Sequence, residues 1–339
     1  KILKRNTNQA LELGEYAINF MKNNYKIDGK VFERVKQFNT DAIVCGVSAL
    51  SLKTNAPNIL RKEALEYETK GMFRSKVFGS DKWVQVEKAI AANNAAVREW
   101  DSNGTVFGYN KNIPGHQAGE FGHNDFYSVA LAGAHSNPKL NGMDVLKGMV
   151  LSDEVRGRLA EVFSLKSYKI DHVVHGAIAS AVTYGAMIGA TPEQIESAVG
   201  MVVAHYIPFR AIRAGKQLSD SKGSSAALSS EVAIMSVRRA MMGFIGPKDI
   251  FRNPEAIFRY FEKTKGDSPF DIHLSYEGSD FAVMGMHFKL GLYEHQSAGA
   301  IQGLVKLLQE NSDLYKGNGI DNIKQINVTA YEPCFGIIG

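Results

Sequence analysis

The chain has 339 residues, of which 45% are hydrophobic and 22% charged. These proportions are typical of folded proteins and exclude a disordered, collagen-like or membrane-bundle chain; this length favours two domains or one large helical body. Two cysteines exclude a disulfide scaffold and a four-cysteine zinc or iron–sulfur site. The net charge is only +4 and the basic residues are dispersed, so we expect no nucleic-acid partner.

Helical periodicity dominates the first three quarters of the sequence. In residues 80–100, Ala and Val recur at helical spacing behind Ser80 and Asp81, which predicts a helix capped by one of these two residues. Residues 101–128 contain too many glycines and prolines for a helix and are predicted to form a long ordered loop. Because long loops in compact domains are usually functional or disordered, this loop is a candidate site.

Three further helices are predicted after that loop. Residues 176–190 are rich in small side chains and carry no formal charge, which predicts a helix buried in a bundle rather than a membrane span. At the next helix start, Thr191 supplies an N-cap, Pro192 the first helical position and Gln194 the amide of a capping box. Residues 224–244 read as a helix that ends at the Gly-Pro pair following them.

The pattern changes from helical to mixed in the last quarter. Residues 285–293 and 323–332 alternate as strands do, and residues 295–310 between them have helical spacing. We therefore predict a mainly α fold, with a large all-helical domain at 1–266 and a smaller α/β domain at 267–339. The sequence begins without methionine and ends directly after a strand-like run, so we expect both termini to have been trimmed.

Several common catalytic signatures are absent from the sequence. It contains no GxxxxGK[ST] phosphate loop, no GxSxG nucleophile elbow, no HExxH zinc motif and no GxGxxG following a strand. The chemistry is therefore expected from a less standard set of side chains.

The glycine-rich loop carries the first group of candidates. Asp101 and Thr105 lie at its start, and His123 lies between a glycine and the pair Asn124 and Asp125. Glycines allow the backbone to approach a ligand closely, and a carboxylate and an imidazole on one loop could act as general base and general acid. The alternative is an Asx-turn with a capping histidine.

A second group of candidates is mainly cationic. Arg210, Arg213 and Lys222 lie in the connection before a predicted helix, whose N-terminus attracts anions. Guanidinium groups bind carboxylates in a bidentate fork, so this group suits a ligand with several carboxylates; the alternative is an exposed basic loop. His172 follows Asp171 and is either held in one tautomer by it or serves as a helix cap.

Taken together, these segments resemble the MmgE/PrpD family over most of the chain. IDHVVHGAIASAVTYGAMIGATPEQIESAV is similar to the family's DHVV-led buried helix and the helix start that follows it. FRAIRAGKQLSDSKGSSAALSSEVAIMSVRRA matches its pattern of two arginines and a lysine. MHFKLGLYEHQSAGAI and IDNIKQINVTAYEPCFGII resemble its lid strands and the helix start between them.

The resemblance implies a large helical domain with an α/β lid, here incomplete because family chains continue past the lid and return to the helical domain. It also implies a homodimer that needs no metal, cofactor or iron–sulfur cluster, and no membrane partner. The implied catalytic residues are Asp101, His123, His172 and Lys222, and the implied substrate-binding residues are Thr105, Asn124, Arg210, Arg213 and Lys289.

The activity implied is the elimination of water from the tricarboxylate 2-methylcitrate, a step in propionate breakdown. Removal of a proton alpha to a carboxylate requires cations placed in advance, which we expect to be Lys222 and the arginines. Which of Asp101, His123 and His172 removes the proton stays open.

Two alternatives to this activity remain. One is cis-aconitate decarboxylation within the family, and the other is a non-catalytic binding or scaffold homologue. An aconitase-type cluster is set aside because it needs three cysteines. The expected compartment is the mitochondrial matrix in a eukaryote and the cytoplasm otherwise.

Overall fold

The computed structural model describes residues 1–23, 25–107, 121–212, 218–289, 291–330 and 334–335, with backbone only at 106–107, 121–123 and 322. The helices are α1 (Gln9–Lys22), α2 (Gly29–Ser51), α3 (Asn55–Glu66), α4 (Val86–Arg98), α5 (Tyr127–Ser136), α6 (Gly142–Val162), α7 (Val173–Ile188), α8 (Pro192–His205), α9 (Asp220–Met241), α10 (Ile257–Phe261) and α11 (Ala298–Glu310). The mainly α fold is thus confirmed.

Short antiparallel strand pairs supplement the helices. The strands are β1 (Ile2–Leu3), β2 (Arg74–Lys76), β3 (Trp83–Gln85), β4 (Thr105–Phe107), β5 (Phe121–His123) and β6 (Ile272–His273). They pair as β1 with β6, β2 with β3 and β4 with β5. The chain divides into two compact units, residues 1–288 and 289–339.

Helix α7 lies at the centre of the first unit, where it contacts α1, α5, α6, α8 and α9. Its small residues permit these close approaches, as predicted. A Cβ atom at Gly176 would lie 2.0 Å from Cζ of Phe126, and one at Gly185 would lie 2.8 Å from Cγ1 of Ile195. Among the described helices, none combines the length and apolarity needed to cross a bilayer.

Local signals predicted the start of α8 correctly, whereas the helix predicted at 224–244 is α9 and extends from Asp220 to Met241, so that it ends before the Gly-Pro pair. The capping box at α8 is confirmed, since the backbone N–H of Gln194 donates to Thr191 Oγ1 at 3.3 Å and the backbone N–H of Thr191 donates to Gln194 Oε1 at 2.9 Å. The helix predicted within residues 80–100 is present as α4, but its predicted start behind Ser80 or Asp81 was wrong, since α4 begins at Val86. The residues before Val86 form β3, which pairs with β2, and this tertiary ladder replaces the first helical turns.

Residues 267–288 pack as part of the first unit. Buried Glu154 on α6 accepts hydrogen bonds from the backbone N–H groups of Ser275 at 2.8 Å and Ala282 at 2.7 Å. β6 also pairs with β1 at the other end of the chain. The domain boundary between 266 and 267 stays a prediction, since the compact units divide after Phe288.

The second unit contains α11 and short 3₁₀ turns, and its described residues form no strand. The strands predicted at 285–293 and 323–332 were therefore wrong for the residues that the structure describes. In the first segment, His287 forms a single bridge to Thr105. In the second segment, Ile326 and Val328 are each 64% exposed, and no strand of the described residues pairs with this segment.

Candidate active site

Asp101 follows the end of α4 in a tight turn. Its φ angle is 51°, in the left-handed region that Asp tolerates better than most residues, and its N–H donates to the carbonyl of Arg98 at 2.9 Å. The turn brings the Asp101 carboxylate back against the Arg98 side chain. Arg98 Nη1 donates to Asp101 Oδ1 in an ion pair.

A second cation reaches Asp101 from a different helix. Lys222, in the first turn of α9, donates from Nζ to Asp101 Oδ2 at 3.1 Å. The Lys222 and Asp101 side chains are 31% and 25% exposed, so this pair is partly accessible from solvent. The structure therefore brings together one predicted catalytic residue from the loop and one from the cationic segment.

Arg98 was missed by sequence reasoning, because an arginine in the last turn of a helix is commonplace. Its side chain is 3% exposed, and Nε lies 3.4 Å from Asp125 Oδ2. Burial acts to lower the Arg98 pKa, but Asp101, Asp125 and Asp171 outweigh it and hold that pKa above its ordinary value. The guanidinium therefore stays charged inside the protein.

Asp125 and Asp171 are both fully buried. Asn103 Nδ2 donates to Asp125 Oδ1 at 2.6 Å. Asp171 Oδ1 accepts from the Val173 N–H at 3.2 Å and lies 3.4 Å from His172 Nδ1, which places His172 at the N-cap position of α7. The contact with Asp171 supports the prediction that this carboxylate holds His172 in one tautomer. The N-cap position supports the alternative prediction of a helix cap, but the His172 side chain makes no capping hydrogen bond.

The segment predicted as one long loop begins and ends with paired strands. Thr105 and His123 are register partners in β4 and β5. Thr105 also exchanges two backbone hydrogen bonds with His287, at 2.9 and 2.8 Å. The prediction of a loop throughout 101–128 was therefore wrong at these strands and at α5, while residues 108–120 and the His123 side chain lie outside the described part.

Two buried polar atoms beside this strand pair have no hydrogen-bond partner among the described residues, Thr105 Oγ1 and Asn124 Oδ1. Leaving such an atom unpaired costs about 1–3 kcal/mol, and a ligand or ordered water commonly supplies the partner. The Asn124 amide donates to the carbonyl of Phe38 at 3.1 Å. One end of Asn124 is thus anchored on α2.

Helix α2 also anchors the residue before Thr105. Asp41 Oδ2 accepts from the Gly104 N–H at 2.9 Å, and a Cβ atom at Gly104 would lie 2.4 Å from the Phe38 ring. Only glycine fits this close approach without displacing Phe38. Burial raises the Asp41 pKa, although the Gly104 hydrogen bond acts to lower it.

The remaining predicted site residues are placed less completely. Arg210 begins a 3₁₀ turn, and its N–H donates to the Lys169 carbonyl at 2.8 Å. Arg213 lies outside the described residues. Lys289 opens the second unit, buried, with Nζ 6.0 Å from the Tyr293 ring centre.

No group of three or more His, Cys, Asp or Glu side chains in the described parts of the chain is placed to hold a metal ion.

Cys45 is half-buried on α2, and burial, with Asp41 and Asp125, raises its pKa to about 11. Because a thiol is nucleophilic as the thiolate, Cys45 is poorly suited to covalent catalysis.

Sequence comparison identifies a family for the helical part of the chain. The family model for the MmgE/PrpD N-terminal domain matches residues 12–269, and the chain belongs to the MmgE/PrpD family.

Two curated relatives are both named as dehydratases of citrate-type acids. The chain is 23% identical to 2-methylcitrate dehydratase of Escherichia coli O157:H7 over 331 residues, which cover 93% of this chain and 64% of that protein. It is 24% identical to alkylcitrate dehydratase phiI of a fungal species (strain ATCC 74256) over 194 residues, 57% of this chain and 37% of that protein. The chain thus spans less than two thirds of either relative.

Proposed function

We propose that the protein is a hydro-lyase that removes water from 2-methylcitrate to give 2-methyl-cis-aconitate, in propionate catabolism. The observation that carries the proposal is the ion pair between Asp101 and Lys222, which joins the two predicted site segments at a partly exposed position. The names of the two relatives support a citrate-type tricarboxylate as the substrate.

The elimination has three bond changes. A base removes the proton alpha to a carboxylate, the carbon–carbon double bond forms, and the carbon–oxygen bond breaks as the hydroxyl takes a proton from an acid and leaves as water. Negative charge grows on the substrate carboxylate during the first change. Cations fixed in advance stabilise that charge, a role for Lys222 with Arg210 and Arg213.

The contacts of Asp101 suit it to positioning Lys222 rather than to proton transfer. Arg98 engages one of its carboxylate oxygens and Lys222 the other. A carboxylate stabilised by two cations is a weak base, so we assign Asp101 to holding Lys222 in place. The proton transfers then fall to His123 and His172.

We propose that Thr105 Oγ1 and Asn124 Oδ1, which have no hydrogen-bond partner among the described residues, contact a hydroxyl of the substrate or a bound water. Lys289 is proposed to bind a further carboxylate, with no cofactor or metal in the reaction.

We propose a homodimer in the mitochondrial matrix of a eukaryote or in the cytoplasm otherwise. The exposed apolar side chains of Met242, Phe244 and Ile245 support self-association.

The proposal is tested by incubating the full-length protein separately with 2-methylcitrate, citrate and cis-aconitate. A rise in ultraviolet absorbance from a new conjugated alkene, fastest with 2-methylcitrate, is expected. Itaconate and carbon dioxide formed from cis-aconitate would instead establish the decarboxylase. A melting temperature raised by tricarboxylates without any product would indicate a binding protein.

A further inference from the structure

We propose that Arg98 is a positioning residue that holds Asp101, and through it Lys222, in the geometry the reaction needs. The proposal rests on the proposed function for its kinetic consequences. Arg98 does not reach the accessible part of the site, since its side chain is 3% exposed. It acts through the carboxylates around it.

Arg98 lies among carboxylates from three parts of the chain. Asp101 lies in the turn after α4, Asp125 directly follows Asn124, and Asp171 directly precedes His172. Asp101 and Asp125 form ion pairs with the buried guanidinium, and Asp171 also acts to raise the Arg98 pKa. The Arg98 charge therefore ties the turn after α4 to the segment that carries Asn124.

The arrangement suits a guanidinium better than a single-point cation. Arg98 Nη1 donates to Asp101, while Nε of the same rigid plane lies 3.4 Å from Asp125 Oδ2, close enough for an ion pair but without a hydrogen bond. A lysine ammonium is a single point charge on a flexible chain. It would preserve the charge but could not hold both carboxylates in the same arrangement.

Through Asp101, Arg98 also fixes the position of Lys222. Because Arg98 fixes Asp101 Oδ1, the other oxygen is directed to Lys222 Nζ at 3.1 Å. Without Arg98, the left-handed turn at Asp101 loses the ion pair that accompanies it. The carboxylate can then rotate, and the Lys222 ammonium loses its fixed position.

The test compares Arg98→Lys and Arg98→Met with Arg61→Met as a control. Arg61 on α3 donates to the carbonyls of Phe78 and Gly79, both at 2.8 Å, and makes no described contact with the site. With Arg98→Lys we expect kcat to fall by about 10²-fold and KM to change little, because the loss concerns geometry in the transition state. Arg61→Met is expected to lower Tm without changing kcat.

The pH profile separates positioning from simple structural support. Removing the positive charge in Arg98→Met favours protonation of both Asp101 and the proposed base His172, so the acid limb of kcat/KM should move to higher pH, by about one unit or more. Arg98→Lys keeps the charge and should leave that limb in place. The charged and titratable groups around this cluster are Lys222, Asp125, Asp171, His172, Glu99 and Asp220.

A crystal structure of Arg98→Lys decides the positioning claim independently of turnover. An Asp101–Lys222 separation above about 4 Å, or loss of the left-handed turn, supports it. A folded variant with Asp101 still 3.1 Å from Lys222, and unchanged kinetics, overturns it. If the wild-type protein converts no tricarboxylate, the proposed function fails while this structural result still decides the role of Arg98.

Discussion

Lys222 on α9 donates a 3.1 Å hydrogen bond to Asp101 after α4, across 121 residues of sequence. Two segments, each singled out for its chemistry, therefore meet at one partly exposed ion pair. A solvent-exposed pair of this kind contributes little to stability, at most about 1 kcal/mol. We propose that the pair serves catalysis, in which a fixed ammonium stabilises charge on a carboxylate substrate.

The Asp101–Lys222 pair should act as a unit in catalysis. We expect Lys222→Met and Asp101→Asn each to lower kcat/KM by about 10²-fold or more, and the double variant to lose little beyond the worse single variant. A double-mutant cycle on kcat/KM measures this. The exposed pair of Lys82 and Glu68 supplies the control, and Lys82→Met should leave kcat/KM unchanged. Additive losses in the double variant would show that the two residues act separately.

Gly176 should be intolerant of any side chain. A Cβ there would lie 2.0 Å from the Phe126 ring, so Gly176→Ala is expected to destabilise the protein by about 1–3 kcal/mol, despite alanine's better helix propensity. Urea unfolding gives the change. Gly142→Ala is the matched control, because nothing lies within 4 Å of a Cβ at that helix start, and it should be neutral or stabilising. Equal stabilities of the two variants would contradict the packing at α7.

His135 should make stability depend on pH. Burial, and secondarily Lys76, lowers the pKa of His135, whose Nδ1 lies 2.8 Å from Ser75 Oγ. The folded protein therefore favours the neutral ring, and the stability that His135 contributes above pH 6.5 is lost as pH falls below that value. Melting temperatures at pH 7.5 and 5.5 should show a smaller drop for His135→Asn than for the wild type. His273→Asn, at an exposed position on β6, should keep the wild-type drop.

Asp41 should be replaceable by asparagine but not by alanine. Because burial raises its pKa, the ionised Asp41 costs stability at neutral pH, and its favourable contribution is lost as pH rises through the folded pKa. Asp41→Asn keeps an acceptor for the Gly104 N–H and should be at least as stable as the wild type at pH 7. Asp41→Ala leaves that donor unpaired, at a cost of about 1–3 kcal/mol. Denaturant titrations at pH 7 compare the two, and the opposite order would contradict the anchoring role of Asp41.

Local chemistry explains what could be predicted from the sequence. The α8 capping box depends on residues within one helical turn, and the small side chains of α7 indicated their own close packing. The start of α4 could not be predicted, because it depends on the pairing of β3 with β2. Alternating apolar and polar residues in the second unit led to a wrong strand prediction, because such a segment forms a strand only where a partner strand pairs with it.

The candidate site shows the same division. Residue type and the family resemblance predicted Asp101 and Lys222 as candidate catalytic residues, and in the structure their side chains form an ion pair. Arg98 carried no signal, because two of the carboxylates around it, Asp125 and Asp171, come from distant segments of the chain. The anchoring of Gly104 by Asp41 is likewise a tertiary contact across 63 residues. The sequence indicated candidate catalytic side chains, whereas the contacts that hold these side chains could be seen only in the folded structure.

The most direct test of the proposed function follows alkene formation from 2-methylcitrate by ultraviolet absorbance, with the wild-type protein and Lys222→Met side by side. We predict turnover by the wild type and a loss of about 10²-fold or more in the variant, at an unchanged far-ultraviolet circular dichroism spectrum. Equal rates in the two proteins, or no alkene from the wild type at any tricarboxylate concentration, would contradict the account.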